Sequence, residues 1–206
     1  RQPTDSAAAA YFNVVWSTIL QLAFADELPP GTRPDGGDRW FEAVRVLLAR
    51  PGDPWWDDRG TPNVTESRDE VLRLALSRAR LELTSDLGKD PGRWRWGRLH
   101  RVRLEQRPIG TDGPGIVQKL FDRGWYEAPG GSSIVNAFSW DAADGTFDVS
   151  AAPSMRMVVD LAALDDSQWV DLTGVSGHPY AEHYGDQAET WVSGGMLPMR
   201  FSLPKP

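Results

Sequence analysis

The 206-residue chain contains no cysteine, which removes disulfides, thiolate metal sites and a cysteine nucleophile together. It has no excess of positive charge either, since 22 Lys and Arg against 29 Asp and Glu leave a formal net charge of −7. Affinity for phosphate backbones comes largely from clustered Lys and Arg, so no nucleic-acid partner is expected. The densest basic run, residues 93–103, is interleaved with Trp94, Trp96, Leu99 and Val102. It reads as a strand with a charged outer face rather than a basic arm. No apolar run approaches the ~20 residues that span a bilayer, and no membrane partner is expected. Residues 7–10 are an alanine patch without the preceding charged and apolar regions of a signal peptide.

Apolar residues at 40% and charged residues at 25% are ordinary for a globular protein, and the length allows one domain with a sizeable core or two small ones. The ten tryptophans are unusual. Side chains this large point to an aromatic core in preference to a binding surface. The compartment is not fixed by the lack of cysteine, because exported proteins often lack it too.

Residues 1–90 read as helical and 91–206 as β-rich. Residues 6 to about 28 hold no Gly or Pro before Pro29, and Tyr11, Val14, Val15, Thr18, Leu22 and Ala25 fall near one helical face. A second helix is expected from Asp38 to about Arg50, with Trp40, Val44, Leu47 and Leu48 as its stripe, ended by Pro51-Gly52. The Trp55-Trp56 pair sits in a loop and is expected to plug a gap. A third helix carries the best signals: Ser67 and Glu70 at capping-box spacing, Leu72, Ala75, Leu76, Ala79 and Leu83 on one side, and Gly88 at its end. Strands are expected over 94–106, 132–140, 146–151, 155–161, 169–173 and 200–202, with a short helix over 116–121 and a polar loop over 108–114. Asp144-Gly145 supplies the positive-φ residue of a hairpin. The fold class is α+β, helices first and a largely antiparallel sheet second.

Ser176 lies in Gly174-Val-Ser-Gly-His178. A nucleophile elbow requires Gly-x-Ser-x-Gly between strand and helix; with His178 in the last glycine position, a tight turn is expected instead. His178 and His183 flank Glu182, but the spacing is one residue longer than His-x-x-Glu-His and Pro179 breaks any helix between them. Structural histidines, not zinc ligands, are expected. His100 with Ser132, Ser133 and Asp160 permits a Ser-His-Asp triad on paper, with nothing to fix its geometry. In residues 154–160, Arg156, Val158 and Asp160 alternate with Met155, Met157 and Val159. Arg156 and Asp160 are expected to be structural ions at a semi-buried junction, each held by partners. No catalytic, cofactor-binding or metal-binding residue is assigned.

Four blocks together resemble the closing part of the penicillin acylase family: Trp94-x-Trp-Gly-x-Leu-His100; Gly130-Gly131 followed by Ile134-Val-Asn136; Ser154-x-Arg156 with Asp160; and the segment from Ser176 to Trp191. The chain departs from that pattern at Val175, where the family has Gln, and over 103–106. The resemblance implies an amino-terminal-nucleophile hydrolase with stacked α/β/β/α layers, of which this chain is the carboxy-terminal part of the catalytic subunit, residues 1–90 and 91–206 both belonging to one larger fold. It implies cleavage of N-acyl amides such as β-lactams or acyl-homoserine lactones, and export to the periplasm or medium. The nucleophile, oxyanion donors and any structural calcium are expected upstream, so the partner is the remainder of the same enzyme. Arg1 has no hydroxyl or thiol and the sequence lacks an initiator Met, which fits an excised or processed piece. The competing reading is a non-catalytic Trp-rich binding or scaffold module.

Overall fold

The computed structural model describes residues 2–201; Arg1 and Ser202, which figure in the reading above, lie outside them. In chain order the elements are α1 (Ala7–Phe24), α2 (Asp38–Leu48), α3 (Arg68–Leu87), β1 (Arg101–Leu104), α4 (Ile109–Asp112), α5 (Gly115–Phe121), β2 (Gly124–Glu127), β3 (Ser139–Trp140), β4 (Val149–Ala151), β5 (Met155–Val158), β6 (Gln168–Asp171), α6 (Ala188–Ser193) and β7 (Leu197–Pro198). Helices with small antiparallel sheets make the chain α+β. It divides into two compact units. One holds the residues to His100 with Pro129–Ala151; the other holds Arg101–Ala128 and the residues from Ala152 onward.

The first unit is organised on α1. Ser6 caps it by accepting the Ala9 N–H at 3.0 Å, and no Gly or Pro interrupts it. By length and composition alone α1 is apolar enough to cross a membrane, which corrects the expectation that no run approaches that length. Here it is a core helix: Val14, Leu20, Ala23 and Phe24 are buried, and so are Asn13, Ser17 and Thr18. Burial wraps most of its circumference rather than the single face read from spacing. Packing against it are Ala75, Ala79 and Leu83 of α3, all fully buried. Leu76 is 44% exposed, so the α3 stripe runs at i, i+4 through Val71 instead. Glu70 Oε2 accepts both the backbone N–H and the hydroxyl of Ser67 at 2.9 and 2.6 Å, and Gly88 ends α3 with φ +100°.

In α2, Val44 and Leu47 are buried while Leu48 stays exposed, and Phe41 stacks flat on Trp16 at 4.1 Å. Trp56 is fully buried and donates to the Arg50 carbonyl, while Trp55 remains exposed. Strands β3 and β4 pair antiparallel around Gly145 at φ +71°. The hairpin is much shorter than residues 132–140 and 146–151 promised.

The expected strand over 94–106 forms only as β1. Before it, Pro91–Arg93 and Trp96–Arg98 are 3₁₀ turns, because their rings are anchored elsewhere. Trp94 Nε1 donates to the Gly88 carbonyl and Trp96 Nε1 to the Gly130 carbonyl, both at 2.8 Å.

In the second unit β1 and β2 pair antiparallel, Arg101 opposite Glu127 and Leu104 opposite Gly124, with α4 and α5 between them. Residues 108–114, expected as loop, include the helical turn α4. A three-stranded sheet runs β5-β6-β7, with Met157 opposite Trp169 and Trp169 opposite Leu197. Among the described residues the last strand is β7, and Arg200 and Phe201, expected in a closing strand, lie outside any strand. Helix α6 covers the face of this sheet that bears Arg156 and Val170, and Val170 and Trp191 are fully buried there.

Candidate functional site

The segment joining β6 to α6 carries the densest chemistry in the sequence, and its geometry is that of a braced loop. Gln187 is buried; its N–H donates to the Thr173 carbonyl and its Oε1 accepts the Asp171 N–H, both at 2.8 Å. Ser176 donates its N–H to the His183 carbonyl at 2.9 Å, and its Oγ accepts the His178 N–H at 3.1 Å. That hydroxyl closes a serine turn. A Cβ on Gly174 would lie 2.3 Å from the His183 carbonyl oxygen, so only glycine permits this crossing.

His178 and His183 serve separate ends of the loop. His178 Nδ1 accepts the Tyr180 N–H at 3.3 Å. His183 Nδ1 meets Asp186 Oδ2 at 2.8 Å on the surface; the hydrogen bond and the charge of Asp186 raise its pKa. Among the described residues no group of three His, Asp or Glu side chains is placed to hold a metal ion.

Arg123 was not singled out by its sequence position, which has no periodic or motif signal. Its Nη2 donates to the Pro179 carbonyl at 2.8 Å, its guanidinium lies 4.1 Å over the Tyr184 ring, and the Tyr184 hydroxyl donates to the Phe121 carbonyl. It ties α5 to the loop. A cavity of about 360 Å³ beside these groups is lined by Arg103, Gln106, Leu172, Thr173 and Ser176.

Arg156 is half-buried and donates through Nη2 to the carbonyls of Trp191 and Gly195, multiple hydrogen bonds of the kind its burial requires. Burial lowers its pKa. Asp160 differs from expectation. It lies beyond the end of β5 and is exposed, and its Oδ1 accepts the N–H groups of Ala162 and Ala163. It caps a turn, because two backbone donors two and three residues ahead are nearer at hand than any strand neighbour.

In the first unit, His100 is fully buried, stacked on Trp96 at 4.5 Å, with Nδ1 2.6 Å from the Phe147 carbonyl. Burial pushes its pKa down to about 4, against the opposing pull of that hydrogen bond. Ser132 does not reach it: its Oγ bonds both ways with the backbone of Trp140. The triad drawn on paper is not assembled. Near Ser132 and Ser133 lies an aromatic cavity of about 410 Å³ lined by Phe12, Trp16, Phe41, Ile134 and Trp140. The Asn13 amide beside it is fully used, bonding Gln2, Ala9 and Trp140. Six of the ten tryptophans are buried, Trp40 and Trp169 are half-buried, and only Trp55 and Trp125 are exposed. Tryptophan therefore builds cores here, not a surface.

The family model described as penicillin amidase matches residues 1–205. An acyl-homoserine lactone acylase QuiP of Pseudomonas syringae pv. tomato is 30% identical over 200 residues, covering 92% of the chain and 23% of that protein. A QuiP acylase of Pseudomonas fluorescens is 32% identical over 209 residues, covering 96% of the chain and 24% of that protein. A penicillin acylase 2 proenzyme of a Pseudomonas species is 32% identical over 231 residues, covering 98% and 25%. The chain spans about a quarter of the length of the curated relatives it matches.

Proposed function

Because this chain belongs to the penicillin amidase family, we propose that it is the carboxy-terminal part of an amide hydrolase that transfers the acyl group of an N-acyl substrate to water. The relatives' names give the substrate class: penicillins or acyl-homoserine lactones. The complete enzyme would add a hydroxyl nucleophile to the amide carbonyl, hold the resulting oxyanion with fixed donors, release the amine and hydrolyse the acyl-enzyme. On this reading the nucleophile and oxyanion donors lie outside these 206 residues. The layered amino-terminal-nucleophile fold, and export to the periplasm or medium, are parts of the same proposal and rest on the family alone.

The observation that carries it is the match along nearly the whole chain to about a quarter of each relative. Any structural calcium of the full-length enzyme would, on this reading, be held by residues upstream of this chain, and no step is assigned to it.

Labelling the product of the full reading frame with a sulfonyl fluoride, followed by peptide mass mapping, tests this directly. The adduct is expected outside residues 1–206. An adduct on Ser176 or Ser132 overturns the reading.

A further inference from the structure

The three-stranded sheet of the second unit is covered by α6 at Val170 and carries exposed apolar side chains along β5. Directly opposed residues of antiparallel strands point to the same side, so Met157, Trp169 and Leu197 form a row across β5, β6 and β7. Met155 lies two residues from Met157 on the same face. Val159, just past β5, continues it. Met155 and Met157 are each 51% exposed, Val159 40%, and Leu161 beyond them 87%. The opposite face carries Val170 at 0% under α6, but Val158 at the end of β5 is 56% exposed on that side as well. β5 is also an edge: among the described residues it pairs only with β6. Contiguous apolar surface on a sheet edge is a recognition or aggregation site unless something covers it.

We infer that this apolar row is the seam on which the rest of the enzyme docks, an apolar face of the remaining polypeptide packing over Met155, Met157 and Trp169. The inference rests on the proposed function in one respect, that the chain is part of a longer enzyme. The occupant follows from length: the chain spans about a quarter of its relatives, so a partner three times its size is at hand in the same molecule. Two methionines and a tryptophan suit such a seam, because thioethers adapt to the opposing surface and contact aromatic rings favourably. Within the row the exposure is concentrated on β5, while Trp169 and Leu197 are half-buried.

Methionine oxidation reads the seam without any assay of catalysis. Solvent-exposed thioethers oxidise to sulfoxides and covered ones are protected. Dilute peroxide is applied to the isolated chain and to the full-length protein, with a free methionyl peptide as reference, and sulfoxide is quantified at Met155 and Met157. Oxidation is expected near the reference rate in the isolated chain and at least tenfold slower in the full-length protein. Equal rates in the two overturn the inference. Protection within the isolated chain that grows with its concentration, together with a doubled mass, also overturns it, since a second copy then fills the face. In parallel, Met157→Asp should leave the melting temperature of the isolated chain unchanged and reduce the yield of soluble full-length protein. A full-length Met157→Asp protein with normal yield and wild-type protection of Met155 contradicts the docking. If methionine protection holds while the full-length protein hydrolyses no acyl amide, the seam stands and the proposed function fails.

Discussion

His100 links burial to acidity. Its imidazole is neutral in the fold, with a pKa near 4, while the unfolded chain restores the ordinary value of about 6.5. Between those values the unfolded state takes up a proton that the folded state refuses, so stability is full above the unfolded value and falls as pH drops. At pH 4 the loss approaches about 3 kcal/mol. Urea midpoints at pH 7 and pH 4.5 measure it, and His100→Gln should shrink the difference between them; a variant with the full acid sensitivity places its origin elsewhere. His183 works with the opposite sign. Asp186 raises its pKa, so its contribution is present at low pH and lost as pH rises through the folded value. In Asp186→Asn, the His183 ring protons should titrate at lower pH by NMR. Arg156 donates to the carbonyls of Trp191 and Gly195. Arg156→Met should cost about 1–3 kcal/mol, the range for stripping a charged donor from buried acceptors, read as a lower denaturant midpoint. An unchanged midpoint would make that anchor dispensable.

At the scale of elements, what was legible in the sequence was whatever is set locally. The Ser67–Glu70 spacing, Gly88 after α3 and Asp144-Gly145 depend on residues within one turn of each other, and each appears where it was read. Ser67→Ala should destabilise the chain by about 1 kcal/mol through loss of that cap, a shift of the thermal midpoint detectable by circular dichroism; no shift would mean α3 is held by packing alone. Long-range anchoring was illegible. Residues 94–100 alternate like a strand, yet Trp96 reaches the Gly130 carbonyl 34 residues away, and that bond wins over local pattern. The same holds for the β5–β6 sheet. Alternation placed Arg156 on one face and the two methionines on the other correctly, but an apolar run does not reveal whether its cover belongs to the same chain. The Ser176 turn was legible, from His178 standing in the second glycine position of an elbow; the bracing role of Arg123 was not, since Pro179 lies 56 residues from it.

The whole molecule is two compact units, the first built on a tryptophan-rich core, in a chain that belongs to the penicillin amidase family. A shared fold does not by itself place the chemistry, so the reaction has to be located by experiment. The central claim is that hydrolysis requires polypeptide beyond these 206 residues. Its most direct test is the rate of amine release from phenylacetyl- and fatty-acyl-amide reporters, measured side by side for the isolated chain and for the full reading frame. The expected result is turnover by the full-length protein and none above the uncatalysed rate by the isolated chain. Turnover by the isolated chain that disappears in Ser176→Ala would contradict it.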